Sequence, residues 1–180
     1  VHHLITLLNS IMSKTLDDGN EYFLPSSIQI PTIDIGNPAP NVIPETAKAT
    51  INIRFNNIHT GKSLIKWFQD HIKKQFNNIP NVSCTFTTNQ IGESFLTKPS
   101  ALSILVSSAC KKINKTNIDP ELATDGGTSD ARFIKDYCEV VEVGLVNRTL
   151  HQINEHVMTK DLFKLHDIYL CILEKYFNKV

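Results

Sequence analysis

An excess of charge of either sign is missing from this chain. Its 180 residues carry 18 basic and 18 acidic side chains, a formal net charge of zero. That balance removes the electrostatic drive toward nucleic acid or an anionic membrane surface, so neither is an expected partner. No apolar run approaches the roughly 18 residues a membrane span needs. Glycine is scarce, at 7 residues, and none of them builds a P-loop or a G-x-G-x-x-G fingerprint. Cys84, Cys110, Cys138 and Cys171 are isolated from one another and form no C-x-x-C pair, which argues against a zinc ribbon or a redox dithiol. Unpaired thiols of this kind point to a cytoplasmic protein. Three sequons, at Asn81, Asn114 and Asn147, are what an asparagine-rich chain yields by chance.

What remains is a globular composition, 41% hydrophobic and 20% charged, of a length that suits one large domain or two small ones. Val1, Leu4, Ile5, Leu8, Ile11 and Met12 form the stripe of an amphipathic helix. The stripe begins at the first residue with no capping residue ahead of it, so the chain is expected to be a piece of a longer protein. The cluster Asp17-Asp18-Gly19-Asn20 is a turn. Phe23 to Ile35 reads as extended, with an alternation that slips once near Pro31, and a proline-rich turn follows at 36–40. Ala47, Ala49, Ile51, Ile53 and Phe55 alternate with polar residues as a half-buried strand. A helix is predicted over Gly61 to Phe76, with Leu64, Ile65, Phe68 and Ile72 on one face, then a strand at Val82, Cys84 and Phe86. The order αββαβ becomes the ferredoxin-like βαββαβ with one strand placed ahead of it.

From Pro99 the pattern changes. Ser100 caps a helix carrying Ala101, Leu102, Leu105, Val106, Ala109 and Ile113. Ala131 to Lys135 reads as a short helix, Val140 to Val143 as a strand buried on both faces, and a last helix starts near Thr159. The expected class is α/β, with an α+β first part and a second part belonging to a helix-covered parallel sheet.

Two segments carry candidate chemistry. Gly126-Gly127-Thr128-Ser129-Asp130-Ala131-Arg132 can form an anion-binding nest ahead of a helix, or a plain connecting turn. Asn147-Arg148-Thr149-Leu150-His151-Gln152-Ile153-Asn154-Glu155-His156 follows the predicted strand, at the end where α/β folds place ligands. His151 and His156 are five apart and do not share a helix face, so the H-E-x-x-H zinc pattern does not apply. His2, His3, His59, His71 and His166 are most simply solvent-facing. Arg54, on the polar face of the clearest strand, is either a solvated charge or a bidentate carboxylate clamp.

In order along the chain, Asp18-Gly19-Asn20-Glu21-Tyr22-Phe23, Asn41-Val42-Ile43-Pro44, Phe95-Leu96-Thr97, Gly126 to Ile134, Val140 to Gly144, Asn147 to His151 with Asn154-Glu155, and Asp161 to Tyr169 resemble the succinyl-diaminopimelate desuccinylases. These belong to the di-zinc aminoacylase and carboxypeptidase superfamily. The resemblance implies a ferredoxin-like lid, through which the family dimerises, over residues 1–97, and the C-terminal portion of a zinc-peptidase-like catalytic domain over 98–180. It implies two zinc ions per subunit, which activate a hydroxide against the amide of N-succinyl-diaminopimelate while a glutamate handles the proton. His151 matches a zinc ligand. Asn41, Arg54, Gly127, Thr128 and Asn147 match positions that hold the carboxylates and amino group of a small dicarboxylate substrate, with Arg132 a further match. The resemblance places the other ligands, the base and an oxyanion-binding histidine upstream of Val1, and Pro40 stands where the family has the first asparagine of a pair. Since catalytic zinc takes about three protein ligands, this chain alone is expected to bind no catalytic zinc and to be inactive. The alternatives are a sister deacylase or dipeptidase of the superfamily, or a non-catalytic dimerisation module.

Overall fold

The computed structural model describes residues 1–124 and 129–178. They divide into two compact units, Val1–Phe95 and Leu96–Val180. The first contains helix α1 (His2–Met12), strands β1 (Ser27–Asp34) and β2 (Lys48–Arg54), and helix α2 (Gly61–Phe76). The second contains helices α3 (Ala101–Asn114), α4 (Ala131–Ile134) and α5 (Thr159–Phe177). Helices with a small sheet make this an α/β fold, and α1-β1-β2-α2 follows the helix-strand-strand-helix core of the ferredoxin-like order.

In the first unit, β1 and β2 pair antiparallel, from Ser27 opposite Arg54 to Asp34 opposite Lys48. The slip expected near Pro31 is a β-bulge. Between the pairs Gln29–Asn52 and Thr32–Thr50, Ile30 and Pro31 together oppose Ile51. Proline has no N–H for the ladder, and a bulge absorbs that loss. Leu7 and Ile11 of α1, Ile28 of β1 and Ile72 of α2 form one buried cluster, flanked by Ile51, Ile53, Trp67, Phe68, Cys84 and Phe86. Ile11 is fully enclosed; burying such a side chain stabilises by about 1.5–3 kcal/mol. The buried stripe of α1 is Leu7, Leu8 and Ile11, while Ile5 and Met12 of the expected stripe are exposed. Since apolar residues lie on several sides of this helix, the pattern alone does not say which side the sheet covers.

The predicted strand at Val82–Phe86 is not formed. The alternation is real, for residues 82, 84 and 86 are half-buried and 83 and 85 exposed, and the Phe86 ring meets that of Phe68 edge-on at 5.1 Å. Side-chain alternation supplies a face but not a partner, and a strand also needs one for its backbone.

In the second unit, α3 and α5 pack together through Leu105, Val106 and Ala109 on one helix and Ile168 and Cys171 on the other. Ser100 caps α3 as expected, in a reciprocal box with Ser103. The helix closes through Lys115 at φ 53, with Thr116 N donating to Lys111 O at 3.1 Å, a Schellman-type ending on a non-glycine residue. Helix α5 begins at Thr159, but its capping position is Met158, which makes no side-chain cap. Residues 140–143 are not a strand, and among the described residues this unit holds no sheet. Val140, Val141 and Val143 are half-buried, and Val143 O accepts a hydrogen bond from the Tyr169 hydroxyl at 2.8 Å. The expected parallel sheet is therefore corrected here to helices with extended connections. Among the described residues, no helix is long and apolar enough to cross a membrane.

Candidate functional site

The polar residues of the first unit converge ahead of β1. Asp17 Oδ1 accepts from Gly19 N at 2.8 Å, Ser26 N at 3.2 Å and Asn56 Nδ2 at 2.6 Å. Its Oδ2 lies 3.1 Å from His59 Nε2. Asn56, 3% exposed, also donates to Leu24 O and accepts from Ile58 N. Burial of the Asp17 carboxyl by itself raises its pKa, but hydrogen bonds from Ser26, Gly19 and Asn56 outweigh this and hold it at about 2, against an ordinary 3.8. His59 is thus a partner of Asp17, not the solvent-facing residue expected. Its partner lies 42 positions away, so no local signal in the sequence marks the pair.

The turn motif beside this knot has a structural reason for its residues. Asn20 Oδ1 accepts from Tyr22 N and Phe23 N. Gly19 sits at φ 77, where a Cβ would lie 2.6 Å from Phe23 O, so only glycine fits.

Asn41 is exposed in the loop between the strands. That loop is shaped by Asn37, whose Nδ2 donates to Ala39 O at 2.9 Å and Val42 O at 2.7 Å. Arg54 ends β2, opposite Ser27, with its side chain exposed and in no ion pair among the described residues. A guanidinium in that state is available to a carboxylate.

Gly127 and Thr128 lie outside the described residues. Just beyond them, Ser129 Oγ accepts from Ala131 N at 2.9 Å and donates to Glu142, which fixes the start of α4. Arg132 then places its guanidinium 4.5 Å from the centroid of the Phe133 ring. Its Nε and Nη1 are both buried and find no hydrogen-bond partner among the described residues. Buried N–H groups of a charged side chain are costly to leave unpaired, and an anion is what satisfies them.

Asn147 and His151 share one exposed loop. Leu150 N donates to Asn147 O at 3.1 Å and Gln152 N to Thr149 O at 3.0 Å, giving two successive turns. His151 adopts φ 61 and Asn154 φ 63, left-handed conformations uncommon for residues with a side chain. Among the described residues, no group of three His, Cys, Asp or Glu side chains is placed to hold a metal ion. His151 is a competent ligand by chemistry, but catalytic zinc takes about three protein ligands, and among the described residues no such set forms around it.

Two surface grooves in the second unit lie elsewhere. One, of about 730 Å³, runs between Ile104 and Leu105 of α3 and Glu174 and Lys175 of α5. The other, of about 460 Å³, is bounded by residues such as Leu96, Lys98, Lys135 and Cys138. Neither is lined by Arg132, Asn147 or His151. Burial pushes the Cys84 and Cys110 thiols up, away from the thiolate a nucleophile requires.

Comparison with known proteins adds a second line. Residues 1–80 match the peptidase dimerisation domain. A succinyl-diaminopimelate desuccinylase from Roseobacter denitrificans is 47% identical over 174 residues, which is 97% of this chain and 45% of that protein. Proteins of the same description are 44% identical in Parvibaculum lavamentivorans, over 98% of this chain and 44% of theirs, and 45% identical in Ehrlichia canis, over 99% and 45%. The chain therefore spans somewhat under half the length of the curated relatives it matches.

Proposed function

We propose, because residues 1–80 belong to the peptidase dimerisation domain family and the chain as a whole is a relative of the succinyl-diaminopimelate desuccinylases, that the whole protein is an amide hydrolase. Water is added across the amide of N-succinyl-diaminopimelate, releasing succinate and diaminopimelate. The observation that carries this reading is identity of 44–47% sustained along nearly the entire chain, not confined to the dimerisation domain.

In this reading residues 1–97 are the lid through which two subunits pair, and 98–180 are the C-terminal part of the catalytic domain. The whole enzyme is a cytoplasmic homodimer, and two zinc ions per subunit, held mostly by residues outside this chain, would supply an activated water and polarise the scissile carbonyl. This chain contributes one ligand, His151, and is inactive alone. Its own task is recognition. Arg54 takes a substrate carboxylate in bidentate fashion, Asn41 and Asn147 supply amide groups to the substrate's polar ends, and Gly127 and Thr128 bring backbone and hydroxyl donors. Arg132 belongs with them, since its buried N–H groups, which find no partner among the described residues, are what a carboxylate of the substrate would occupy.

The test is substrate preference in the whole protein. Arg54→Ala should weaken kcat/KM for the succinylated substrate by about 10- to 100-fold, the worth of one charge-assisted hydrogen-bonded contact. The acetylated analogue, which lacks the free carboxylate of the succinyl group, should lose much less. A preference for succinyl over acetyl that survives Arg54→Ala overturns the assignment in favour of a deacylase with another acyl group.

A further inference from the structure

The loop that carries His151 is closed at its base by one side chain. The Thr149 hydroxyl donates to His156 O at 2.7 Å and accepts from His156 N at 3.1 Å. A single hydroxyl therefore does the work of a backbone pair and ties residue 149 to residue 156. Inside the closed segment lie both left-handed non-glycine residues of this unit's loop, His151 at φ 61 and Asn154 at φ 63. Such conformations are disfavoured for residues with a Cβ and persist only where the surroundings over-determine them. Among the described residues the determinants are few and can be named. They are the turn bonds from Leu150 N to Asn147 O and from Gln152 N to Thr149 O, the bond from Gln152 Nε2 to Arg148 O, the contact of His156 Nδ1 with Asn154 O at 2.8 Å, and the two-way bond of Thr149. Every residue from 151 to 160 is exposed, so packing does not hold the loop. Of these bonds, only the Thr149 pair spans the whole loop.

We propose that Thr149 is a positioning residue: its hydroxyl staples residues 149 and 156 and thereby sets the backbone of His151 in the conformation that presents the imidazole. The inference rests on the reading of His151 as a functional group of the hydrolase. A staple of this kind acts through His151 and touches no substrate. It therefore belongs to turnover more than to substrate binding.

Two measurements test it, one on this chain and one on the whole protein. In this chain, Thr149→Val keeps the side-chain shape and removes the hydroxyl, whereas Thr149→Ser keeps the hydroxyl. Exchange of the His156 amide hydrogen should accelerate by roughly tenfold in the valine variant, the worth of one hydrogen bond, and return toward the wild-type rate with serine. In the whole protein, Thr149→Val should lower kcat by about 10- to 100-fold, as loss of a ligand-orienting contact does, with KM changed less than about twofold. Thr149→Ser should restore most of the rate. Unchanged protection of the His156 amide in Thr149→Val overturns the staple. A loosened loop with unchanged kcat also overturns the positioning role, provided His151→Ala is inactive. If His151→Ala is itself active, the assignment of His151 fails, and the role of Thr149 fails with it.

Discussion

Asp17 shows how one residue can be decided by its neighbours. Its side chain is only 6% exposed, yet it stays ionised because Gly19, Ser26 and Asn56 all donate to it. With the folded pKa held at about 2 and the ordinary value at 3.8, the ionised carboxylate favours the folded state fully at pH above about 4. That contribution fades as pH falls from about 4 toward about 2. The midpoint of urea unfolding should therefore drop across this interval, and the drop should shrink in Asp17→Asn. A drop of equal size in both proteins would assign the acid sensitivity to other carboxylates. The sequence marks Asp17 as part of a turn and His59 as a surface residue. Neither reading contains the pair, since 42 positions separate the two. Arg54 was legible for the opposite reason: strand alternation puts it on the outer face whatever its partners are.

Elements were legible where the local pattern suffices. Helix α2 is an example, with Thr60 and Ser63 in a capping box and Leu64 and Ile72 buried. One of its constraints was not visible in the sequence. The Glu93 carboxylate accepts from Gly61 N through both oxygens, at 3.0 and 3.2 Å, and Gln90 Nε2 steadies it at 2.5 Å. This places a negative charge at the positive end of the helix and fastens the stretch around residue 93 to the first unit. Glu93→Ala should destabilise the chain by about 1 kcal/mol, a typical loss for a helix cap, read as a lower urea midpoint. A loss below about 0.3 kcal/mol would mean that the Thr60 cap suffices. The elements that went wrong, 82–86 and 140–143, failed on partnership and not on pattern. Helix α5 is a mixed case: its apolar spacing offers Leu162, Leu165, Tyr169, Ile172, Leu173 and Tyr176 as one side, and the structure half-buries Leu165 and Ile172 but exposes the other four, at 47–58%, while burying Ile168 and Cys171.

At the scale of the whole molecule, the resemblance to the desuccinylases came from motifs in order, while the arrangement of the proposed site residues did not. Asn41 and Arg54 belong to one unit and Arg132, Asn147 and His151 to the other, so no pattern within either could bring the two sets together. The proposed pairing of subunits through the first unit predicts that sedimentation of this chain at tens of micromolar returns the mass of a dimer. A clean monomer at that concentration would count against the first unit as a self-sufficient interface. The bulge at Ile30–Pro31 bears on the same question. Among the described residues the sheet has two strands, so each keeps one unpaired edge. Along β1 that edge is bent, and Pro31 takes one donor out of the strand, whereas β2 runs seven residues without a register break on its own side. The sheet is thus one-handed in its capacity to grow: an incoming strand finds an interrupted template on one side and a regular one on the other, and β2 gives the sheet a direction in which it can be extended.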